Sequence, residues 1–389
     1  MVRNFVDVGM LGNPVDVVLN LAAFMIGACV GSFLNVCIYR WPLNLKVDEP
    51  KRSFCPKCKS PIPMWRNVPI FSWLMLRGKC GDCKAPIPVR YVLVELLTAL
   101  GFLAIWLHWP PAVAVALIFF FVCCMVTLWV DMEHYIIPDQ VSINAVPLGL
   151  LAGALAPGLF DEQIWYRGLM WSALGALTGY VVLYGVVELG KKLFGRKRLK
   201  LDGVEKWSAR DGEHGPVFSL GDEKYEWEEL FSRPTDRLVV TSPAVRFEVV
   251  DGPAVSHSGV DVHLGWDSVQ VVRPGKNGET VEQWPLEKVK SIRGEAADVV
   301  IPREAMGFGD VKWLAMAGCF IGWQGVFFTV GAASLIGTVL SVLLMVVGLR
   351  AWTTRIPFGP YLVVGAWLWL LVGEQWVAGY LRGVGIGGY

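Results

Sequence analysis

The chain has 389 residues, 54% of them hydrophobic and 12% aromatic with 18 Trp, only 18% charged, and a mean hydropathy of +0.47. That balance excludes an ordinary soluble globular domain and predicts an all-α polytopic membrane protein. The formal net charge is +1, and no nucleic-acid partner is expected.

Apolar stretches long enough to cross a bilayer, about 20 residues at helical rise, run at 16–38, 91–108, 111–130, 140–157, 167–189, 324–349 and 358–378. A shorter stretch, 311–322, makes an eighth. The first is too long for the core of a cleaved signal peptide and has no charged start beyond Arg3, so it is expected to be retained. Five sections follow from this reading: residues 1–40 with the first transmembrane helix, a polar module at 41–90, helices two to five at 91–190, an inserted domain at 191–305, and the last three helices at 306–389.

Charge is spread unevenly. Between Arg40 and Arg90 lie eleven basic residues against Asp48, Glu49 and Asp82, and a second basic run, Lys191-Lys192 to Lys200, trails the fifth stretch. By the positive-inside rule, residues 40–90, 131–139, 191–305 and 350–357 face the cytoplasm and both termini lie outside. The insertion shifts to mixed charge and then to β-like alternation at Arg237–Thr241, Val245–Val250, Val260–Leu264 and Ser268–Val272, with turns at Pro274-Gly275 and Asn277-Gly278. It is expected to be soluble and mostly β. No internal repeat is expected.

Four of the nine cysteines form two pairs in the basic module, Cys55-Pro-Lys-Cys58 and Cys80-Gly-Asp-Cys83. In a reducing compartment such pairs suit a tetrahedral Zn held by four thiolates, a structural site with no position left for substrate. So small a module cannot bury much core, and a metal would supply what it lacks. Cys29, Cys37, Cys123, Cys124 and Cys319 lie in apolar stretches and read as core or lipid-facing residues.

Two aspartates stand where long apolar segments meet polar ones: Asp131 in Asp131-Met-Glu-His-Tyr-Ile-Ile-Pro-Asp139, and Asp310 in Gly307-Phe-Gly-Asp310-Val-Lys312. A carboxylate at such a boundary is costly unless it has work to do. Brought together by folding, the two could share a proton and activate water against a peptide bond, and which is acid and which base belongs to the pair. Gly307 and Gly309 would let the backbone approach a substrate strand or take positive φ, and Lys312 would favour an ionised Asp310. Structural readings are expected for the remaining polar residues. Glu133 and Asp139 read as solvated interface charges, Asp139 also as an N-cap, Glu95 as a partner of Arg90, and Glu188 as a helix-end partner of Lys191 and Lys192. His108 and His134 have no companions that suggest a metal.

With these residues in view, the chain resembles the type IV prepilin peptidases, leader peptidases and N-methyltransferases of pilus and type II secretion systems. The resemblance rests on Gly31-Ser-Phe-Leu-Asn35-Val-Cys-Ile-Tyr-Arg40-Trp-Pro, on the cysteine module with Asn67-Val-Pro69, Arg77-Gly-Lys79 and Arg90-Tyr, on Asp131, and on Met306-Gly-Phe-Gly-Asp310-Val-Lys. It implies an enzyme of the bacterial inner membrane with Asp131 and Asp310 catalytic and Cys55, Cys58, Cys80 and Cys83 binding zinc, the aspartates and the zinc module facing the cytoplasm. It also implies removal of the basic leader of prepilins or pseudopilins after a Gly, and methylation of the new N-terminal residue from S-adenosylmethionine. No glycine-rich nucleotide fingerprint marks a site for that donor. The basic module suits anionic lipid headgroups better than a basic leader. Residues 191–305 depart from the family pattern, either as a docking domain for pilus or secretion assembly proteins or as an elaboration tolerated at an exposed loop. The competing readings are a presenilin-type Gly-x-Gly-Asp peptidase without methyltransferase activity, a proton-coupled transporter, and a silent scaffold carrying the zinc module.

Overall fold

The computed structural model describes residues 13–43, 45–49, 54–55, 57–194, 196–199, 201, 203–212, 215–231, 237–250, 253–273, 280–302, 307–348 and 357–383. The chain divides into two compact units, Met1–Tyr184 with Gly307–Tyr389, and Gly185–Met306.

The first unit is helical. Helix α1 (Pro14–Arg40) begins where Asn13 accepts the Val15 N–H at 3.1 Å, and Asp16 and Arg40 sit at the ends whose partial charges suit them. The module at 41–90 contains one short helix, α2 (Phe71–Met75). Helix α3 (Arg90–His108) then packs along α1, so closely that a Cβ on Gly31 would fall 2.7 Å from the Glu95 Cα. Helix α4 (Pro111–His134) stops at Tyr135, whose left-handed backbone ends the ladder. After α5 (Val146–Leu155) and α6 (Trp165–Phe194) the chain enters the second unit, which contains the short helix α7 (Trp227–Leu230). It returns as α8 (Phe308–Val346) and ends in α9 (Gly359–Leu368), a π-helical turn, and α10 (Glu374–Gly383).

Among the described residues, α1, α3, α4, α6 and α8 are long and apolar enough to cross a bilayer, and Gly359–Gly373 is a shorter apolar helix. The protein is thus multi-pass, but five such helices are fewer than the eight stretches read from sequence. Two differences have a local cause. Residues 140–157 form no single helix: two 3-10 turns at 139–145 precede α5, which at 10 residues rises about 15 Å, half a hydrocarbon core. Helix α8 is interrupted at Gly322, where φ 68° and ψ 175° leave the helical region, and this break coincides with the boundary between 311–322 and 324–349.

Lipid supplies no hydrophobic drive between helices, so close packing and polar contacts must hold them. Gly175 of α6 and Gly318 of α8 meet backbone to backbone: a Cβ on either would come within 2.1 Å of the other's carbonyl oxygen. Beside them Ser172 donates to the Cys319 carbonyl at 3.0 Å. Phe120 of α4 stacks on Phe320 at 4.9 Å and on Trp367 at 5.9 Å, with Trp313 alongside. The outer helix faces expose Val18, Leu177 and Leu335, each above 60%.

The second unit is mostly β, as its alternation predicts. Its strands are β1 (Arg196–Leu199), β2 (Glu205–Gly212), β3 (Gly215–Leu220), β4 (Glu223–Glu226), β5 (Arg237–Val249), β6 (Val255–Gly265), β7 (Ser268–Arg273), β8 (Thr280–Pro285), β9 (Val289–Ala296) and β10 (Asp298–Pro302). They run antiparallel in the order β4-β3-β2-β9-β5-β6-β7-β8, and β10 joins β1 to β5. Trp207, Phe218, Phe247, Val262, Leu264 and Ile292 fill the core. The two strands expected at 237–241 and 245–250 are one. Its edge changes partner from β10 (residues 239–241) to β9 (residues 244–249), and Pro243, which has no N–H to give a ladder, stands at the change. There Ser242 donates to the Ala244 and Glu295 carbonyls and accepts from the Trp207 indole. The expected turns at 274–275 and 277–278 lie outside the described residues.

Candidate active site and metal centre

Asp131 occupies the last turn of α4, where the Tyr135 N–H closes on its carbonyl at 3.0 Å, and its side chain is 5% exposed. Asp310 lies in the first turn of α8 behind the cap residue Gly307 and is 8% exposed. Gly359, the first residue of α9, donates its backbone N–H to Asp131 Oδ2 at 2.9 Å. Two helix N-termini, the positive ends of their dipoles, therefore bear the two carboxylates: α8 carries Asp310 in its opening turn and α9 donates to Asp131.

Ile137 links the pieces. A Cβ on Gly309 would lie 3.2 Å from its Cβ, and one on Gly359 would lie 3.3 Å from its Cδ1. Asp131 and Asp310, distant in sequence, are electrostatic neighbours. Asp131 thus closes α4 and Asp310 opens α8, both buried, and Gly359 and Gly309 beside them both lie against Ile137.

The supporting segment is used differently from the sequence reading. Neither Gly307 nor Gly309 adopts positive φ; the gain at Gly309 is close approach to Ile137. Lys312 reaches Asp139 at 2.7 Å and lies over the Phe308 ring, so its charge is directed away from the role expected beside Asp310. The cap position of the following 3-10 turn falls on Pro138, and Asp139 serves as the partner of Lys312 instead of as a cap. Glu133 is exposed, as expected of an interface charge, and pairs with Arg90. Glu95, expected to pair with Arg90, instead accepts the Ile70 N–H at 2.7 Å and so ties the module to α3. Gly359 went unread because a backbone donor leaves no side-chain signature.

The four module cysteines converge. Their Sγ atoms all lie within 4.8 Å of one another, with Cys55 and Cys83 3.9 Å apart. Four sulfurs at about 2.3 Å from a tetrahedral ion stand about 3.8 Å apart, so the donor set fits such a metal. A short repeat builds it, contrary to the sequence reading: Cys55-Pro-Lys-Cys-Lys-Ser-Pro-Ile-Pro63 and Cys80-Gly-Asp-Cys-Lys-Ala-Pro-Ile-Pro88. In each copy the Lys after the second Cys, Lys59 or Lys84, takes a left-handed φ and donates its N–H to the first Cys carbonyl. The first Cys N–H in turn bonds to the carbonyl of Ser60 or Ala85. The Cys58 backbone N–H helps hold the Cys55 thiol down at about 7, near its working form as a thiolate. Asp82 clips the copies together, accepting from the Ser60 hydroxyl at 2.5 Å and from Arg66 at 2.9 Å. The hydroxyl first, and the guanidinium second, hold its carboxyl below the usual carboxylate range.

Comparison with known proteins bears on both halves of the site. Residues 25–109 match the bacterial peptidase A24 N-terminal domain and residues 293–342 match the type IV leader peptidase family. A prepilin leader peptidase/N-methyltransferase of Stutzerimonas stutzeri is 27% identical over 403 residues, covering 96% of each chain. One of Dichelobacter nodosus is 34% identical across 46% of this chain and 70% of its own. A type 4 prepilin-like proteins leader peptide-processing enzyme of Escherichia coli O78:H11 is 31% identical across 49% of this chain and 75% of its own. No solved structure matches the chain significantly.

Proposed function

The chain belongs to the type IV leader peptidase family, and from that premise we propose that Asp131 and Asp310 together hydrolyse the bond between leader and mature substrate. The enzyme removes the leader peptide of type IV prepilins and N-methylates the residue the cut exposes. The observation that supports the residue assignment is a pair of buried carboxylates, one where α4 ends and one where α8 begins, with Gly359 and Gly309 beside them both against Ile137 and α9 donating its first N–H to Asp131.

One carboxylate takes a proton from water as the water oxygen attacks the scissile carbonyl carbon, and the other carboxyl gives a hydrogen bond and then a proton to the carbonyl oxygen. When the intermediate collapses, the C–N bond breaks and the departing amine takes a proton from the pair. Gly309 contributes by letting the first turn of α8 lie against Ile137, and Lys312 by fixing Asp139 and the chain after α4. The leader junction precedes an apolar substrate helix, so it meets this site without unwinding a buried segment.

The metal of Cys55, Cys58, Cys80 and Cys83 is zinc in a structural role, since four thiolates leave no open position. The methyl donor is S-adenosylmethionine, which when bound supplies a methyl carbon to the amine lone pair while the C–S bond electrons stay on sulfur and the amine proton passes to water. Eight membrane segments in the bacterial inner membrane, with α8 counted as two, would place the aspartates and the zinc module at the cytoplasmic face. Pseudopilins are further substrates, anionic lipid contacts the basic module, and the β unit docks pilus or secretion assembly proteins.

The test is purified enzyme in lipid with a prepilin, read by mass spectrometry with and without S-adenosylmethionine. Loss of leader mass reports cleavage, and an added methyl reports transfer. Asp131→Asn and Asp310→Asn each block the first change. Full cleavage by the Asp310→Asn protein overturns the assignment.

A further inference from the structure

Helix α2, the short helix of the cysteine module, has two unlike sides. Ser72, Trp73 and Leu76 line a cavity of about 430 Å³ beside α1 and α3. Phe71, Leu74 and Met75, neighbours on one helical face by their spacing, are instead 60%, 58% and 68% exposed. Three large apolar side chains on one side of a five-residue helix form a contact surface rather than scattered exposure.

Their depth follows from α3. That helix has 19 residues and rises about 28 Å, just under a hydrocarbon core of about 30 Å. Its whole length is needed to cross, so Arg90 stands at the boundary. Glu95 lies about 7 Å further along the axis, and its side chain leans back toward the helix start. The Ile70 N–H, at the head of α2, bonds to that carboxylate at 2.7 Å, and the Trp73 indole donates to the Ile87 carbonyl at 3.3 Å. These bonds tie α2 beside the opening turns of α3, level with the zone where headgroups meet acyl chains. At the same level α3 exposes Leu93, Leu97 and Leu100, spaced as one lipid-facing stripe.

Charge selects lipid as the occupant. Arg77 and Lys79 follow α2 and are exposed, which suits phosphate headgroups and repels the basic leader of a prepilin.

We propose that α2 is an interfacial foot: Phe71, Leu74 and Met75 enter the acyl region of the leaflet at the α3 N-terminus and hold the metal-bound repeat against its surface. This deepens the reading that lipid contacts the module, and rests on it for the headgroup contacts of Arg77 and Lys79.

Hydroxyl-radical footprinting of the full chain in phosphatidylcholine nanodiscs, with a photoactivatable diazirine on the acyl chains, tests this. Phe71 and Met75 oxidise at least about 10-fold more slowly than in the unfolded chain, as does the half-exposed Met25 of α1, and acyl label appears in peptide 68–77. Trp266 of the β unit, also exposed, serves as the water-facing reference. Oxidation of Phe71 and Met75 at the pace of Trp266, relative to the unfolded chain, makes α2 a water-facing helix and overturns the proposal. Protection without acyl label means that protein covers the face, a second copy or the prepilin, and overturns it equally. Label found in phosphatidylcholine supports the foot even where added phosphatidylglycerol changes nothing, the outcome that would instead fail the anionic-lipid reading.

Discussion

Gly359→Ala tests the peptidase geometry at a point where no side chain exists. The added Cβ would stand 2.7 Å from Asp131 Oδ2 and 3.2 Å from its Cγ, both well inside ordinary contact. Gly359 does not occupy the positive-φ region, so alanine is acceptable to the backbone, and at the start of a helix it is otherwise favourable. The clash must therefore be relieved by Asp131, which is 5% exposed and has little room to turn, and the 2.9 Å bond from the Gly359 N–H lengthens or breaks. A hydrogen bond to a charged group contributes about 1.5–3 kcal/mol, which at about 1.4 kcal/mol per decade corresponds to a roughly 10- to 150-fold loss of cleavage rate. Leader removal from a prepilin, followed by mass spectrometry under single-turnover conditions, reads the loss directly. Introduced into Asp131→Asn, the same change costs nothing further, because both act through one carboxylate. Cleavage by Gly359→Ala within about 3-fold of wild type would show that this N–H does not position Asp131 for the reaction.

Lys312→Gln removes a partly exposed pair with Asp139 and lowers cleavage by no more than about 5-fold, since such pairs are worth about 0–1 kcal/mol; a loss equal to that of Asp310→Asn would make Lys312 part of the chemistry. Stripping the metal with a chelator abolishes methylation while cleavage of a pre-bound prepilin persists, and parallel loss of both would tie the peptidase to the module. Asp82 is held below its usual value near 3.8, so its clip is complete above that pH and is lost only as pH falls further. Asp82→Asn accordingly lowers metal affinity by one constant factor at every pH from about 5 to 8, leaving thiolate protonation as the acid-sensitive step; a deficit that grew toward pH 5 would show Asp82 titrating there. Gly175→Leu drives a side chain into the Gly318 carbonyl and destabilises the helical unit, read as a lower melting temperature in detergent.

The aspartates and the cysteines were legible because their chemistry is written in residue type and position: carboxylates at apolar boundaries, thiols in paired spacing. The hydrogen bond that orients Asp131 was not, since it comes from a peptide group 228 residues away that every non-proline residue possesses. Partners of charges were misjudged for a related reason. Arg90 takes Glu133 from another helix while Glu95 accepts the Ile70 N–H, and neither partner can be read from spacing along the chain. The nine-residue repeat around the cysteines was available in the sequence and is short enough to hide among prolines and lysines. In the β unit, alternation located the strands, but the two segments read at 237–241 and 245–250 are one strand that changes neighbours at Pro243.

The ring of Tyr180 in α6 meets that of Phe308 at the head of α8, 6.4 Å between centroids. Close by in sequence, β1 and β10 zip the first and last strands of the inserted unit together. Departure and return are thus each clasped, once within the host and once within the guest. Such a junction behaves as a socket into which a foreign fold with adjacent ends could be plugged.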